Sequence, residues 1–168
     1  MFALRIRNTN KGSLDQIVKP MLISTGIEIS AINSPLDITL TGTHNGLKSI
    51  LHIIKEQENN LVYKQLNVAG GFHSNKLQCF YNKFKAFTNE ILKKDLKYSL
   101  ISTVDGKMKS NVKELPELLA RQLYSPVLFW KMIETSLEIG CEEFVELGKK
   151  AILTSFIETI VFLNNKDS

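Results

Sequence analysis

Residues 1–68 switch repeatedly between two apolar periods, and this switching constrains the fold more than any other feature of the chain. Met1 to Ile6 is a short apolar run with alternating outward residues, which reads as a strand. Ser13 then offers an N-cap for a helix through Leu14, Ile17, Val18 and Leu22, ended by Gly26 and expected to break or kink at Pro20. Ile27 to Ile32 alternates as a half-buried strand does, Asn33-Ser34-Pro35 turns the chain, and Asp37 to Thr41 completes a hairpin that stops at Gly42. Leu47, Ile50, Leu51 and Ile54 recur at helical spacing between Asn45 and about Gln57; Glu58-Asn59-Asn60 closes that helix and Leu61 to Val68 gives another strand. The order strand, helix, strand, strand, helix, strand matches the ferredoxin-like (βαββαβ) arrangement, a four-stranded sheet with both helices on one face.

The second half changes character. Leu77, Phe80, Tyr81, Phe84, Phe87, Ile91 and Leu92 stripe a long helix, and its aromatic members are read as core. Tyr98 to Val104 reads as a strand closed by Asp105-Gly106, Leu115 to Leu123 as a helix, and Pro126 as the first turn of a further helix ended by Gly140. Glu143 to Leu147 reads as a strand and Ala151 to Leu163 as a last amphipathic helix. Strands alternating with helices imply a parallel α/β layer. With only two strands, that layer is expected to be part of a larger one.

Composition narrows the function. A chain of 168 residues, 43% of them hydrophobic, can bury one large core or two small ones. Its net charge of +4, from 21 basic against 17 acidic residues, forms no dense block with interleaved aromatics, so nucleic acid is disfavoured as a partner while an anionic ligand or acidic protein is compatible. Cys79 and Cys141 form no CxxC pair and are expected to be reduced, buried thiols of a cytoplasmic protein. No apolar run reaches membrane-spanning length, no secretory signal opens the chain, and no metal-ligand cluster or glycine-rich phosphate loop occurs, so neither metal nor cofactor is expected. His44, in a loop, and His52, on the polar side of a helix, are given no chemistry.

Between the halves lies Gly70-Gly71-Phe72-His73-Ser74. A histidine on a strand-to-helix turn is held from both sides while its ring can face a cleft, which suits a general base. Together with Arg121-Gln122-Leu123-Tyr124-Ser125-Pro126-Val127 and Phe144-Val145-Glu146-Leu147-Gly148 before a terminal helix, this turn resembles the malonyl-CoA:acyl-carrier-protein transacylases and the acyltransferase domains of polyketide synthases. Ala31-Ile32-Asn33-Ser34-Pro35 with Thr39-Leu40-Thr41-Gly42, and Ser102-Thr103-Val104-Asp105-Gly106, are similar to further family segments.

The resemblance implies a ferredoxin-like small subdomain over residues 1–69. Residues 70–168 would then be the C-terminal part of an α/β-hydrolase-like acyltransferase domain. It implies transfer of a malonyl group from CoA to the phosphopantetheine thiol of an acyl carrier protein, in fatty acid or polyketide biosynthesis. In such an enzyme His73 takes the proton of a nucleophilic serine, and the main-chain carbonyl of Gln122 orients the imidazole. Phe72 and Asn33 would lie on the substrate side, with Phe72 narrowing the room for an α-methyl branch.

Three departures stand out. No Gly-x-Ser-x-Gly occurs, and Lys11-Gly12-Ser13 lacks the second glycine and a preceding strand. The family arginine that pairs with the malonyl carboxylate has no counterpart, since Arg5 and Arg7 fall on the wrong element. Leu147-Gly148-Lys149 lacks the proline that usually follows this glycine. The chain therefore reads as a piece of an acyltransferase without its nucleophile, whether a fragment, a split subunit or a degraded gene product, with an upstream fragment carrying the serine as a candidate partner. A non-catalytic carrier-binding module and an acyl hydrolase of the same superfamily are the alternatives.

Overall fold

The computed structural model describes residues 1–6, 12–22, 25–57 and 61–165. Arg7, Lys11 and the Glu58-Asn59-Asn60 turn lie outside the described residues. Strand β1 (Phe2–Ile6) is followed by α1 (Leu14–Leu22), β2 (Glu28–Ser34), β3 (Asp37–Thr41), α2 (His44–Gln57) and β4 (Leu61–Gln65). The four strands form one antiparallel sheet in the order β2-β3-β1-β4. Along β1 the side chains obey the two-residue period: Phe2, Leu4 and Ile6 are buried with Ile38 and Leu40 of β3 against Leu14 and Val18 of α1 and Leu47, Ile50 and Ile54 of α2. Each such side chain contributes roughly 1.5–3 kcal/mol of burial free energy, which fixes the register Leu4↔Ile38. Arg5 points to the other face, pairs with Asp37 opposite it, and lies 5.8 Å from the ring centroid of Phe156 on the C-terminal helix. The centre of the sheet is thus covered on both sides, and every residue of β3 is buried, while the edge strand β4 is exposed.

Helix α1 runs through Pro20 to Leu22 rather than breaking at it. Pro20 sits in the last turn, where one lost N–H leaves the Leu14/Val18 face intact. At the other end the Ser13 carbonyl accepts from Ile17 N, and the Ser13 N–H donates to Gln16 Oε1, half of a capping box.

Beyond β4 come a 3-10 helix (Asn75–Phe80), α3 (Tyr81–Ile91), β5 (Leu100–Ile101), β6 (Met108–Lys109), α4 (Leu115–Gln122), α5 (Phe129–Glu138) and α6 (Ile152–Asn164). The expected parallel layer is not present among the described residues. Strands β5 and β6 are two residues each and pair antiparallel across the Asp105-Gly106 turn, and 143–147 carries no regular secondary structure. A strand exists only as a ladder with a neighbour, and the described residues offer that segment none. Among the described residues the one parallel contact is a bridge between Ala31 of β2 and Val127, with Ile32 N–H donating to Val127 O and Val127 N–H to Ser30 O (2.8 and 2.9 Å).

Candidate active site

The seam between the sheet and α3 is a constrained turn. His73 has φ 54°, the only left-handed backbone at a non-glycine among the described residues. Buried Ser74 closes the turn by donating its hydroxyl to Gly71 O at 2.7 Å, and Asn75 N–H donates to Glu28 Oε2 at 2.9 Å, anchoring it to the start of β2. Gly71 is required by space: a Cβ there would stand 2.7 Å from Thr41 Oγ1 at the end of β3.

Helix α4 supplies the other half. Its final turn ends at Gln122, where carbonyls have no helical partner left. The Gln122 carbonyl lies 2.7 Å from His73 Nδ1. A carbonyl can only accept, so Nδ1 carries the proton and the lone pair of the neutral ring is on Nε2. The Gln122 side chain is fixed independently: Oε1 accepts from the Thr103 hydroxyl, and Nε2 donates to Ser125 O at 3.3 Å. These two partners set the amide orientation, so the 3.3 Å approach of Gln122 Nε2 to His73 Nδ1 brings two donors together and is a contact, not a bond.

A polar clamp holds α3 against α4. Glu117 accepts from the Tyr81 hydroxyl and from Lys85 Nζ, the latter at 2.6 Å. The Lys85 bond holds the Glu117 carboxyl below the usual carboxylate range, and Glu117 in turn raises the Tyr81 phenol. His73 precedes α3 and Gln122 ends α4, so this clamp keeps the imidazole and the carbonyl in register.

The structure brings His73, Gln122 and Phe72 to one cavity of about 220 Å³, whose other walls are Leu77, Phe84, Leu119 and Leu123. Phe72 is 45% exposed at its rim. Asn33 is half-buried near the end of β2, five residues past Glu28, and is not among those walls. Two groups of expectations are corrected. Phe80 at the end of the 3-10 helix and Phe87 and Ile91 on α3 are exposed, not core, because the inner face of α3 is taken by Thr88 and by the Tyr81–Lys85–Glu117 clamp. Cys79 and Cys141 are exposed free thiols, not buried ones. His44 opens α2 and His52 is exposed on it. Sequence reasoning gave Thr103 and Ser74 no role. Thr103 stood within a quoted family segment, which was the one signal pointing to it.

Among the described residues no three His, Cys, Asp or Glu side chains gather to hold a metal, and no helix is long and apolar enough to cross a membrane.

In fold the chain is similar to acyltransferases of known structure. No family model matches the chain. The malonyl CoA-acyl carrier protein transacylase of Burkholderia pseudomallei superimposes with a TM-score of 0.80 at 26% identity, over 96% of this chain and 56% of its own. A malonyl-transacylase solved in complex with a type II polyketide synthase acyl-carrier protein gives 0.81 at 21% identity, over 96% and 52%, a likeness of fold alone. In sequence, the malonyl CoA-acyl carrier protein transacylase of Staphylococcus aureus (strain COL) is 27% identical over 137 residues, 80% of this chain and 43% of that protein. The chain is thus related to the malonyl CoA-acyl carrier protein transacylases across their C-terminal part. It spans less than half the length of the curated relatives it matches.

Proposed function

We propose that these residues are the histidine-bearing part of an acyltransferase that moves a malonyl group from CoA to the phosphopantetheine thiol of an acyl carrier protein. The observation that carries this is the 2.7 Å contact from His73 Nδ1 to the Gln122 carbonyl, which leaves Nε2 as the base. In the first half-reaction Nε2 takes the proton of a serine hydroxyl as its oxygen attacks the thioester, and then gives that proton to the departing CoA sulfur. In the second, Nε2 takes the proton of the carrier thiol as its sulfur attacks the acyl-serine, and returns it to the serine oxygen. The Gln122 carbonyl stands where a triad carboxylate would, keeping the ring in one tautomer and facing the imidazolium that forms. The serine is supplied by polypeptide outside these 168 residues, as is the partner of the malonyl carboxylate. Phe72, at the rim of the cavity, limits branching at the α-carbon.

The domain reading is that residues 1–69 form a ferredoxin-like small subdomain and 70–168 part of an α/β-hydrolase-like one. The strand order β2-β3-β1-β4 with two intervening helices supports the first. Two exposed free thiols fit the reducing cytoplasm.

The test is complementation. Co-expression with a polypeptide carrying the serine elbow of a relative should give radiolabelled malonyl transfer to a carrier protein, and His73→Ala should lower it by about 10²–10⁴-fold. A His73→Ala form that transfers at the parental rate would refute the assignment of the base.

A further inference from the structure

Both ends of the His73 turn meet the same rung of the small sheet. Glu28 of β2 and Thr41 of β3 stand opposite each other at the end of their ladder. Half-buried Glu28 reaches the far end of the turn and accepts from Asn75 N–H at 2.9 Å. Thr41, 1% exposed, meets the near end: its hydroxyl oxygen lies so close to Gly71 that a Cβ there would stand 2.7 Å from it. That oxygen has no hydrogen-bond partner among the described residues, so it acts on the turn by contact.

The turn does not hold itself. Ser74 occupies the N-cap position of the 3-10 helix in extended backbone, yet its hydroxyl makes no cap bond, because it donates back to Gly71 O. The N–H left without a local partner at the start of that helix is taken instead by Glu28, from a distant strand. Between the two contacts lies His73 at φ 54°, a conformation that a residue with a side chain keeps only where its surroundings over-determine it.

We infer that the Glu28–Thr41 rung is a positioning device for the base: Glu28 at one end of the turn and Thr41 at the other fix the backbone of His73, and with it the place of the imidazole that meets the Gln122 carbonyl. Glu28 is thus a positioning residue that acts through His73. The effect on malonyl transfer rests on the acyltransferase reading, whereas the effect on the ring does not.

The experiment compares the full chain with its Glu28→Ala, Glu28→Gln, Gly71→Ala, Gly70→Ala and combined Gly71→Ala, Thr41→Ala forms by ¹⁵N-resolved NMR of the His73 ring and the Asn75 amide, with thermal melts to check folding. Glu28→Ala should speed exchange of the Asn75 amide by about tenfold and move the His73 ring signals, and Glu28→Gln, which keeps an oxygen acceptor, should restore most of both. Gly71→Ala should move the ring signals as well, and Thr41→Ala in the same chain should bring them back by removing the oxygen that the new methyl meets. Gly70→Ala should change nothing, since a Cβ there meets no atom within 4 Å. In the complemented enzyme Glu28→Ala and Gly71→Ala should each lower kcat by about ten- to hundredfold and leave KM for malonyl-CoA within about twofold, as displacement of a base does. Ring signals that neither Glu28→Ala nor Gly71→Ala moves overturn the inference. So does a lowered melting temperature of Glu28→Ala with kcat unchanged, which makes Glu28 a structural cap alone. Should Glu28→Ala not fold, the Gly71→Ala form and its rescue by Thr41→Ala decide. Ring signals that respond as expected, in a chain whose complemented parental form transfers no malonyl group, uphold the positioning role and remove the acyltransferase reading.

Discussion

Replacing His73 by glycine and by alanine separates backbone strain from side-chain chemistry at the candidate base. Both substitutions remove the Nδ1–H donor to Gln122 O, so the loss of that bond cancels in the comparison. What remains is the backbone at φ 54°. An L-residue held in the left-handed region costs about 1–2 kcal/mol relative to glycine there. Glycine gives back about 0.5–1 kcal/mol through the greater freedom of its unfolded chain. The balance makes His73→Gly more stable than His73→Ala by about 1 kcal/mol, the reverse of the order at an ordinary position. For a chain of this length that is about 3 °C in Tm. Urea titration followed by circular dichroism, together with a thermal melt, measures the difference directly, provided the two variants share one m value. A glycine form less stable than the alanine form by 0.5 kcal/mol or more would show that the turn is not strained. The reasoning that His73 is held in a costly conformation for its chemistry would then fail.

Two further outcomes follow from the hydrogen bonds around the site and the last helix. Thr103→Val removes the hydroxyl that fixes the Gln122 amide and should speed exchange of the His73 Nδ1 proton in ¹⁵N-resolved NMR, while Thr103→Ser restores the parental signal; identical ring spectra in the valine form would strip Thr103 of its positioning role. Glu146 caps α6 by accepting from Thr154 N, Leu153 N and Ile152 N (2.9, 3.0 and 3.1 Å) and from the Thr154 hydroxyl, bonds that hold its carboxyl below the usual range. A carboxyl lowered in the folded state stabilises above its unfolded value of about 4.3 and loses that contribution as pH falls through the folded value. The urea midpoint of Glu146→Gln should therefore lie below the parental one near pH 7 and converge with it toward pH 3. A gap that stays constant between those values would count against the cap.

The sheet was legible because its two periods are both written in the chain. Phe2, Leu4 and Ile6 alternate, Leu47, Ile50 and Ile54 follow the helical repeat, and one face of the sheet accepts both sets. The 143–147 segment was misread for the opposite reason. Val145 and Leu147 favour a strand, yet they stand 74% and 94% exposed, since propensity cannot supply the neighbour that a strand needs. The His73–Gln122 pair was reached through resemblance. Its hydrogen bond joins a side chain to a peptide oxygen, which leaves no mark of its own in residue identity. Helix α3 gives the most instructive case. Two stripes run along it about 100° apart, Tyr81–Lys85–Thr88–Leu92 and Phe80–Phe84–Phe87–Ile91, and hydrophobicity alone turns the second inward. The structure turns the first inward, because Tyr81 and Lys85 find Glu117 on α4, while the buried Thr88 hydroxyl is satisfied by the carbonyls of Phe84 and Lys85 on its own helix. Polar partners on a neighbouring helix thus decide which face is core. The aromatic stripe they displace is left beside the one imidazole placed to act as a base.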